Sequence, residues 1–239
     1  MSQGQNYVDV CVDVWGEFAM FTRPESKVER TTYLVPTPSA CRGILNAIYS
    51  KPVEFYYEIR QIEIMNQPRL LTLRRNEVNA KADVSKCTKV FDYHLMRDDM
   101  NTQRMCTYLR DVYYRIHARM ILQKDKMGQI DVRALQSQFR RRVSGGKCFY
   151  QPVLGCRECM CYFSLPDMTK KHCSWTESLG LMLYDVFDIT KHDSLDTRSA
   201  AQKKGCGETM VSFFDAQIVD GVMQVPPFDS NEILVRRNQ

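Results

Sequence analysis

Apolar and polar residues alternate near the start of the chain. Val8, Val10, Val12 and Val14 lie on one side, and Asp9, Cys11 and Asp13 on the other. A period of two marks a half-buried strand, so Tyr7 to Trp15 is predicted to be one, with Gly16 as its end. The stretch from Phe21 to Pro36 is polar and basic and reads as a long exposed loop with some extended structure. Thr37 and Pro38 then supply an N-cap and a first helical residue. The helix that follows buries Cys41, Ile44, Leu45 and Ile48 and is stopped by Pro52. Alternation returns from Val53 to Met65, a second strand. Residues 68–107 are polar, carry no clear amphipathic period, and read as a long insertion that is partly hairpin.

Asp111 to Leu122 is predicted as a strand, Asp131 to Val143 as a helix capped by Asp131 and closed by Gly145-Gly146, and Val153 to Phe163 as a further strand. The order strand, helix, strand, strand, helix, strand is that of an α+β, ferredoxin-like domain, a pattern shared with RRM-type RNA-binding domains. The expected division is residues 1–163 for this domain, insertion included, and 164–239 for a small C-terminal antiparallel β unit. In the latter, Leu179–Ile189, Thr209–Val219 and Val222–Val225 read as strands, and Asp220-Gly221 as a hairpin turn.

Charge sharpens this outline. The net charge is +5, but its spread is uneven. Residues 1–96 hold 12 Lys/Arg against 11 Asp/Glu, residues 97–147 hold 12 against 5, and residues 158–239 hold 8 against 12. A basic middle between a neutral start and an acidic end suggests a polyanion partner on one face, although a solvated helix face has the same composition. No run of 18 apolar residues occurs and the first residues lack the blocks of a secretory signal, so a cytoplasmic protein with no membrane partner is expected. The 10 cysteines are expected to be reduced and mostly buried. Cys156, Cys159 and Cys161 suggest a metal site at first. On a strand, however, Cys156 would face away from the other two, so neither a metal nor a cofactor is expected. Phosphate-binding loops, nucleophile elbows and zincin helices are absent from the sequence.

Three sequence blocks carry a resemblance. The first runs from Val14 to Glu25 (VWGEFAMFTRPE) and on through Lys27 to Arg30. The second runs from Val35 to Leu45 (VPTPSACRGIL) and from Ala47 to Pro52 (AIYSKP), followed by Arg74 to Val78. The third comprises Phe139 to Arg142, Cys148 to Pro152 and Leu154 to Glu158. In order and spacing they resemble the Cas-five family of CRISPR type I-C systems.

The resemblance implies a protein that binds the stem-loop of the CRISPR repeat RNA and cuts it without metal. It then stays on the 5′ handle of the mature guide RNA, as a subunit of the type I-C surveillance complex. The RNA's own 2′-hydroxyl would attack the adjacent phosphate. Such chemistry calls for a base, an acid and cations around the phosphorane. The family's tyrosine falls on Tyr49, a position that ordinary core packing would also explain. Its Lys-His pair falls on Ala134-Leu135, which can neither move a proton nor hold a charge. His117 and Arg133 are the candidate substitutes, Arg133 for charge alone because guanidinium does not deprotonate.

The candidate RNA contacts are Arg23, Lys27, Arg30, Arg74, Arg75, Arg140, Arg141, Arg142 and Lys147. Gly145 and Gly146 join them, with backbone amides that could approach a phosphate. The arginine triplet and the glycine pair also fit a plain helix C-terminus and its cap. Two functions remain open at this point: an endoribonuclease, or a subunit that holds the 5′ handle without cutting.

Overall fold

A computed structural model describes residues 6–26, 28–79, 85, 100–190 and 210–236. It is a mixed α/β protein dominated by one antiparallel sheet of nine strands among the described residues. The strands are β1 (Tyr7–Ala19), β2 (Phe55–Ile64), β3 (Arg69–Val78), β4 (Asn101–Leu122), β5 (Tyr162–Ser164), β6 (Glu177–Asp185), β7 (Val211–Val219), β8 (Val222–Gln224) and β9 (Leu234–Arg236). Along the sheet they run β5-β1-β4-β2-β8-β7-β6, with β3 paired to β4 and β9 to β7.

Two helices, α1 (Pro38–Ile48) and α2 (Val132–Ser144), lie on one face. The Thr37 Oγ1 accepts the Ala40 amide at 3.2 Å, and the Asp131 carboxylate accepts the Arg133 amide at 2.9 Å, so each helix has a side-chain N-cap. Ile44, Leu45 and Ile48 of α1 and Leu135, Phe139 and Val143 of α2 join the even-numbered valines of β1 and the Ile116–Ala118–Met120 row of β4 in one core. Burial of this apolar stripe provides most of the helices' stability.

Several expectations need correction. Gly16 does not end β1, which continues to Ala19. A Cβ at residue 16 would lie 2.5 Å from the Leu154 side chain and 2.6 Å from the Met160 carbonyl, so this glycine permits a close approach within a strand. Residues 153–161 are not a strand. Strand structure covers Tyr162–Ser164, while Val153 and Met160 form an isolated bridge around a turn. Leu154 explains the loop: its amide donates to Cys159 and its carbonyl accepts from Met20, which pins the turn against the end of β1. The segment from Phe21 to Pro36 is not simply exposed. Phe21, Tyr33 and Val35 are buried, and the Tyr33 amide donates to the Phe21 carbonyl at 2.8 Å.

The 68–107 segment does contain a hairpin: β3 pairs along its length with the first half of β4. The second half of β4 enters the main sheet between β1 and β2. At the change of partners Asp111 adopts φ 52°, an unusual left-handed geometry for a non-glycine residue. Asp220 (φ 48°) and Gly221 (φ 77°) make the expected turn between β7 and β8. Through β8, which pairs with β2, the C-terminal strands extend the same sheet. Arg42 of α1 grips Asp185 of β6 through two bonds of 2.8 and 2.9 Å, both side chains being buried.

Candidate nucleic-acid interface and reaction centre

The C-terminal ends of both helices meet at Tyr49. This residue is the C-cap of α1, in extended geometry (φ −151°, ψ 118°). Its ring packs on Phe55 at 5.5 Å, and its carbonyl accepts the Tyr57 hydroxyl at 2.7 Å. The Tyr49 Oη is buried and makes no well-formed hydrogen bond with the described residues, with Lys51 as its nearest polar neighbour in electrostatic terms. An unpaired buried hydroxyl is costly in a static fold, which makes it a candidate for a contact that forms with a ligand.

Arg142 of α2 donates from Nε to the Ile48 carbonyl at 2.7 Å and lies 4.2 Å over the ring of Phe149. The Phe149 amide donates to the Ala47 carbonyl at 2.7 Å. Lys51 stands two residues beyond Tyr49, its Nζ 2.8 and 3.0 Å from the Glu54 carboxylate. Burial raises the Tyr49 phenol above its ordinary pKa of 10.0, and the charges of Lys51 and Arg142 oppose that rise. At neutral pH the group is therefore a neutral phenol beside two cations, suited to donating a proton or a hydrogen bond to developing oxygen charge.

Lys51 was not among the residues picked out from sequence. The usable signal was Tyr-x-Lys just after a helix, because residues two apart on extended backbone share a side.

Arg140 and Arg141 are exposed and make no side-chain hydrogen bond or ion pair with the described residues, nor does the exposed Lys147. Together with Arg142 they form a cationic helix end beside the exposed rings of Phe149 and Tyr150. The backbone amides here are not free, which corrects the expectation of a phosphate cradle. The Gly145 amide donates to Arg141, Gly146 (φ 61°) to Val143, and Lys147 to Arg142. This is a left-handed helix cap in which the amides satisfy the helix's own carbonyls. Any phosphate contact at this end falls to side chains.

The remaining candidates are dispersed. Arg133 sits at the opposite end of α2, about 13 Å along the axis from Arg142, so the fold does not bring it to Tyr49. His117 of β4 stands opposite Cys11 of β1, on the sheet face away from the helices. Its Nε2 is 2.7 Å from Glu63 and 3.8 Å from the Cys11 thiol, which burial and the neighbouring Asp13 charge push up to about 12. With the sheet between them, His117 cannot act with Tyr49 on one phosphate, which corrects its assignment as a substitute base.

Arg23 lies over Tyr33 at 4.8 Å and pairs with Glu25 at 3.6 Å, while Arg30 pairs with Glu77 at 3.6 Å. Arg75 bonds the Tyr108 hydroxyl at 2.5 Å and pairs with Glu158. Arg74 is exposed on the hairpin, 3.5 Å from Gln103. Lys27 lies outside the described residues. On the face away from the helices, Arg115 is buried between Asp13 and Glu63 and also donates to the Asp167 carbonyl at 2.6 Å.

Residues 9–231 match the family model described as CRISPR-associated protein (Cas_Cas5). A protein of Thermus thermophilus named CRISPR pre-crRNA endoribonuclease Cas5d is 36% identical over 217 residues, covering 90% of each chain. One of the same name from Mannheimia succiniciproducens is 34% identical over 236 residues, covering 92% of this chain and 96% of the other. Among solved structures, one described as a CRISPR-associated protein shares the fold with a TM-score of 0.63 at 20% identity, over 95% of this chain and 96% of that one. A functionally uncharacterized protein from Streptococcus mutans does so with a TM-score of 0.62 at 18% identity, over 95% and 97%.

Proposed function

The chain belongs to the Cas5d family of CRISPR-associated proteins, and on that premise we propose that it binds the CRISPR repeat hairpin and cuts precursor CRISPR RNA. The observation that carries this reading is the buried Tyr49 hydroxyl, free of any well-formed hydrogen bond and beside Lys51, at a helix end furnished with Arg140, Arg141 and Arg142. The 2′-oxygen of the ribose before the cut forms a bond to phosphorus as the bond from phosphorus to the 5′-oxygen breaks. A cyclic 2′,3′-phosphate and a free 5′-hydroxyl result. Tyr49, held neutral, gives its proton or a hydrogen bond to the leaving oxygen. Lys51 and the arginines offset charge on the phosphorane. The proton of the 2′-hydroxyl passes to solvent, and the reaction is correspondingly slow.

After cutting, the protein keeps the 5′ handle of the guide RNA as a subunit of the type I-C surveillance complex in the cytoplasm. The β5-β1-β4-β2 order with both helices on one face supports reading residues 1–163 as the ferredoxin-like unit and 164–239 as the added β unit.

A second reading, a handle-binding subunit that does not cut, is favoured by one observation. Where the family's Lys-His pair falls, Ala134 is exposed and Leu135 is buried in the core, 5% accessible. Incubation of the purified protein with its own repeat RNA in EDTA separates the two. Cleavage that persists there, and that stops when the 2′-hydroxyl at the cut is replaced by hydrogen, supports the enzyme. Intact RNA after hours of saturation leaves the handle-binding reading.

A further inference from the structure

On the sheet face away from the helices, three aromatic residues stand in register on neighbouring strands: Tyr162 of β5, Trp15 of β1 and Tyr113 of β4. Trp15 and Tyr162 have centroids 6.2 Å apart and planes within 24° of parallel, whereas Tyr113 meets Trp15 edge-on at 5.9 Å. Lys170 lies 4.6 Å over the Tyr113 ring and donates to its hydroxyl at 3.3 Å. Trp15 and Tyr162 remain open, at 37% and 52% accessibility. Exposed tryptophan in the middle of a strand is expensive unless something covers it. Beside these rings is a cleft of about 470 Å³, whose lining includes Trp15, Tyr113, Glu17, Asp111, Asp167 and Lys170.

We propose that Trp15 and Tyr162 are a stacking platform for one unpaired base of the RNA, with Lys170 holding the adjoining phosphate. The choice of a nucleobase rests on the RNA-binding function above, but the platform is separate from the helix end where the backbone is cut. The chemistry of the cleft selects this occupant. The two rings, 24° from parallel, offer π-faces to a flat heterocycle. The Glu17 carboxylate repels phosphate, and Asp111, paired with Arg110 at 3.2 Å, adds a further acceptor, so what enters the cleft is a base edge carrying N–H donors, best matched by guanine. The cation slot over Tyr113 is already filled by Lys170, so a cationic side chain from a protein partner finds it occupied.

The test uses the full chain and a labelled single-stranded RNA octamer rich in guanine, read by anisotropy. Trp15 emission is followed in a Trp175→Phe background. RNA should quench Trp15. Tyr162→Ala, and the double variant with Trp15→Ala, should raise the octamer Kd by about tenfold, while Trp15→Phe should change it by less than about threefold. Oligouridine should bind more weakly than the guanine-rich octamer. Unchanged octamer affinity in the natively folded Tyr162→Ala protein overturns the platform. So does quenching by a hexa-arginine peptide but not by RNA, which would make the cleft a protein-docking site. If octamer affinity responds to Arg140→Ala and Arg141→Ala alone, the platform fails and the RNA-binding function stands. If the wild-type chain binds neither octamer nor hairpin, the RNA-binding function itself fails.

Discussion

The two faces of the central sheet hold cations in opposite ways. At the joint end of α1 and α2, Arg140, Arg141 and Lys147 are exposed without partners among the described residues, and Arg142 is fastened through a backbone carbonyl and a ring rather than a carboxylate. On the other face Arg115 is 4% accessible and locked to Asp13 and Glu63, and His117 leans on Glu63. Both regions are rich in basic residues, yet the helix end leaves its arginines free for a polyanion, whereas on the other face only Lys170 lines the open cleft. Arg115 spends its charge on cohesion, tying β1, β2 and β4 to the segment around Asp167 and Lys170. A basic residue becomes a phosphate contact when the fold leaves it unpaired and exposed.

The sharpest way to break this contrast is catalytic. Tyr49→Phe removes a hydroxyl and keeps the ring on Phe55, so single-turnover cleavage should slow by about 10²–10⁴-fold with hairpin affinity held. His117→Ala, on the other face, should leave the rate within a few-fold. A large loss at His117 with none at Tyr49 would move the reaction centre across the sheet.

Next in size is stability. Arg115→Ala removes the cation paired with the buried Asp13 carboxylate, leaving it the Tyr113 hydroxyl and the Asp167 amide, and Arg42→Ala does the same to Asp185, leaving it the Val186 and Phe187 amides. Each should cost about 3–5 kcal/mol in urea unfolding, because a buried charge loses its partner. Arg140→Ala should cost stability almost nothing. If Arg115→Ala unfolds like the wild type, the network is not the source of cohesion on that face.

Affinity follows. Arg140→Ala and Arg141→Ala should each weaken hairpin RNA by about 1.5–3 kcal/mol if each holds a phosphate. Each should also reduce the salt slope by about one. Duplex DNA of equal length should bind less well than the hairpin, and equal affinity would mean that charge alone is being read.

The smallest effect is in pH. Burial favours the neutral phenol of Tyr49 and raises its pKa in the folded state. Its contribution to stability is thus complete below the unfolded value of about 10 and is lost as pH rises beyond it. A Tyr49→Phe protein should lose less stability than the wild type between pH 9 and pH 11, and the wild-type cleavage rate should show no rise attributable to phenolate below pH 10. A rate limb near pH 8 that vanishes in Tyr49→Phe would show a phenolate base instead.

Local order was readable from local pattern. The alternation of Val8 to Val14, the Thr37-Pro38 and Asp131 caps and the Asp220-Gly221 turn each depend on residues close in sequence, and each is present in the fold. The family blocks were legible for the same reason, as contiguous strings. What escaped depends on partners far along the chain. Gly16 resembled a strand end until Leu154 and Met160 came to rest against it. Residues 153–161 resembled a strand until Leu154 bonded to Met20. Arg75 and Arg140 are alike as letters, but the first meets Glu158 83 positions away and the second meets solvent. His117 and Tyr49 seemed available to one another until strand register put the sheet between them. Periodicity and capping act over a few residues, whereas pairing, burial and facing are decided when distant segments compete for the same neighbours.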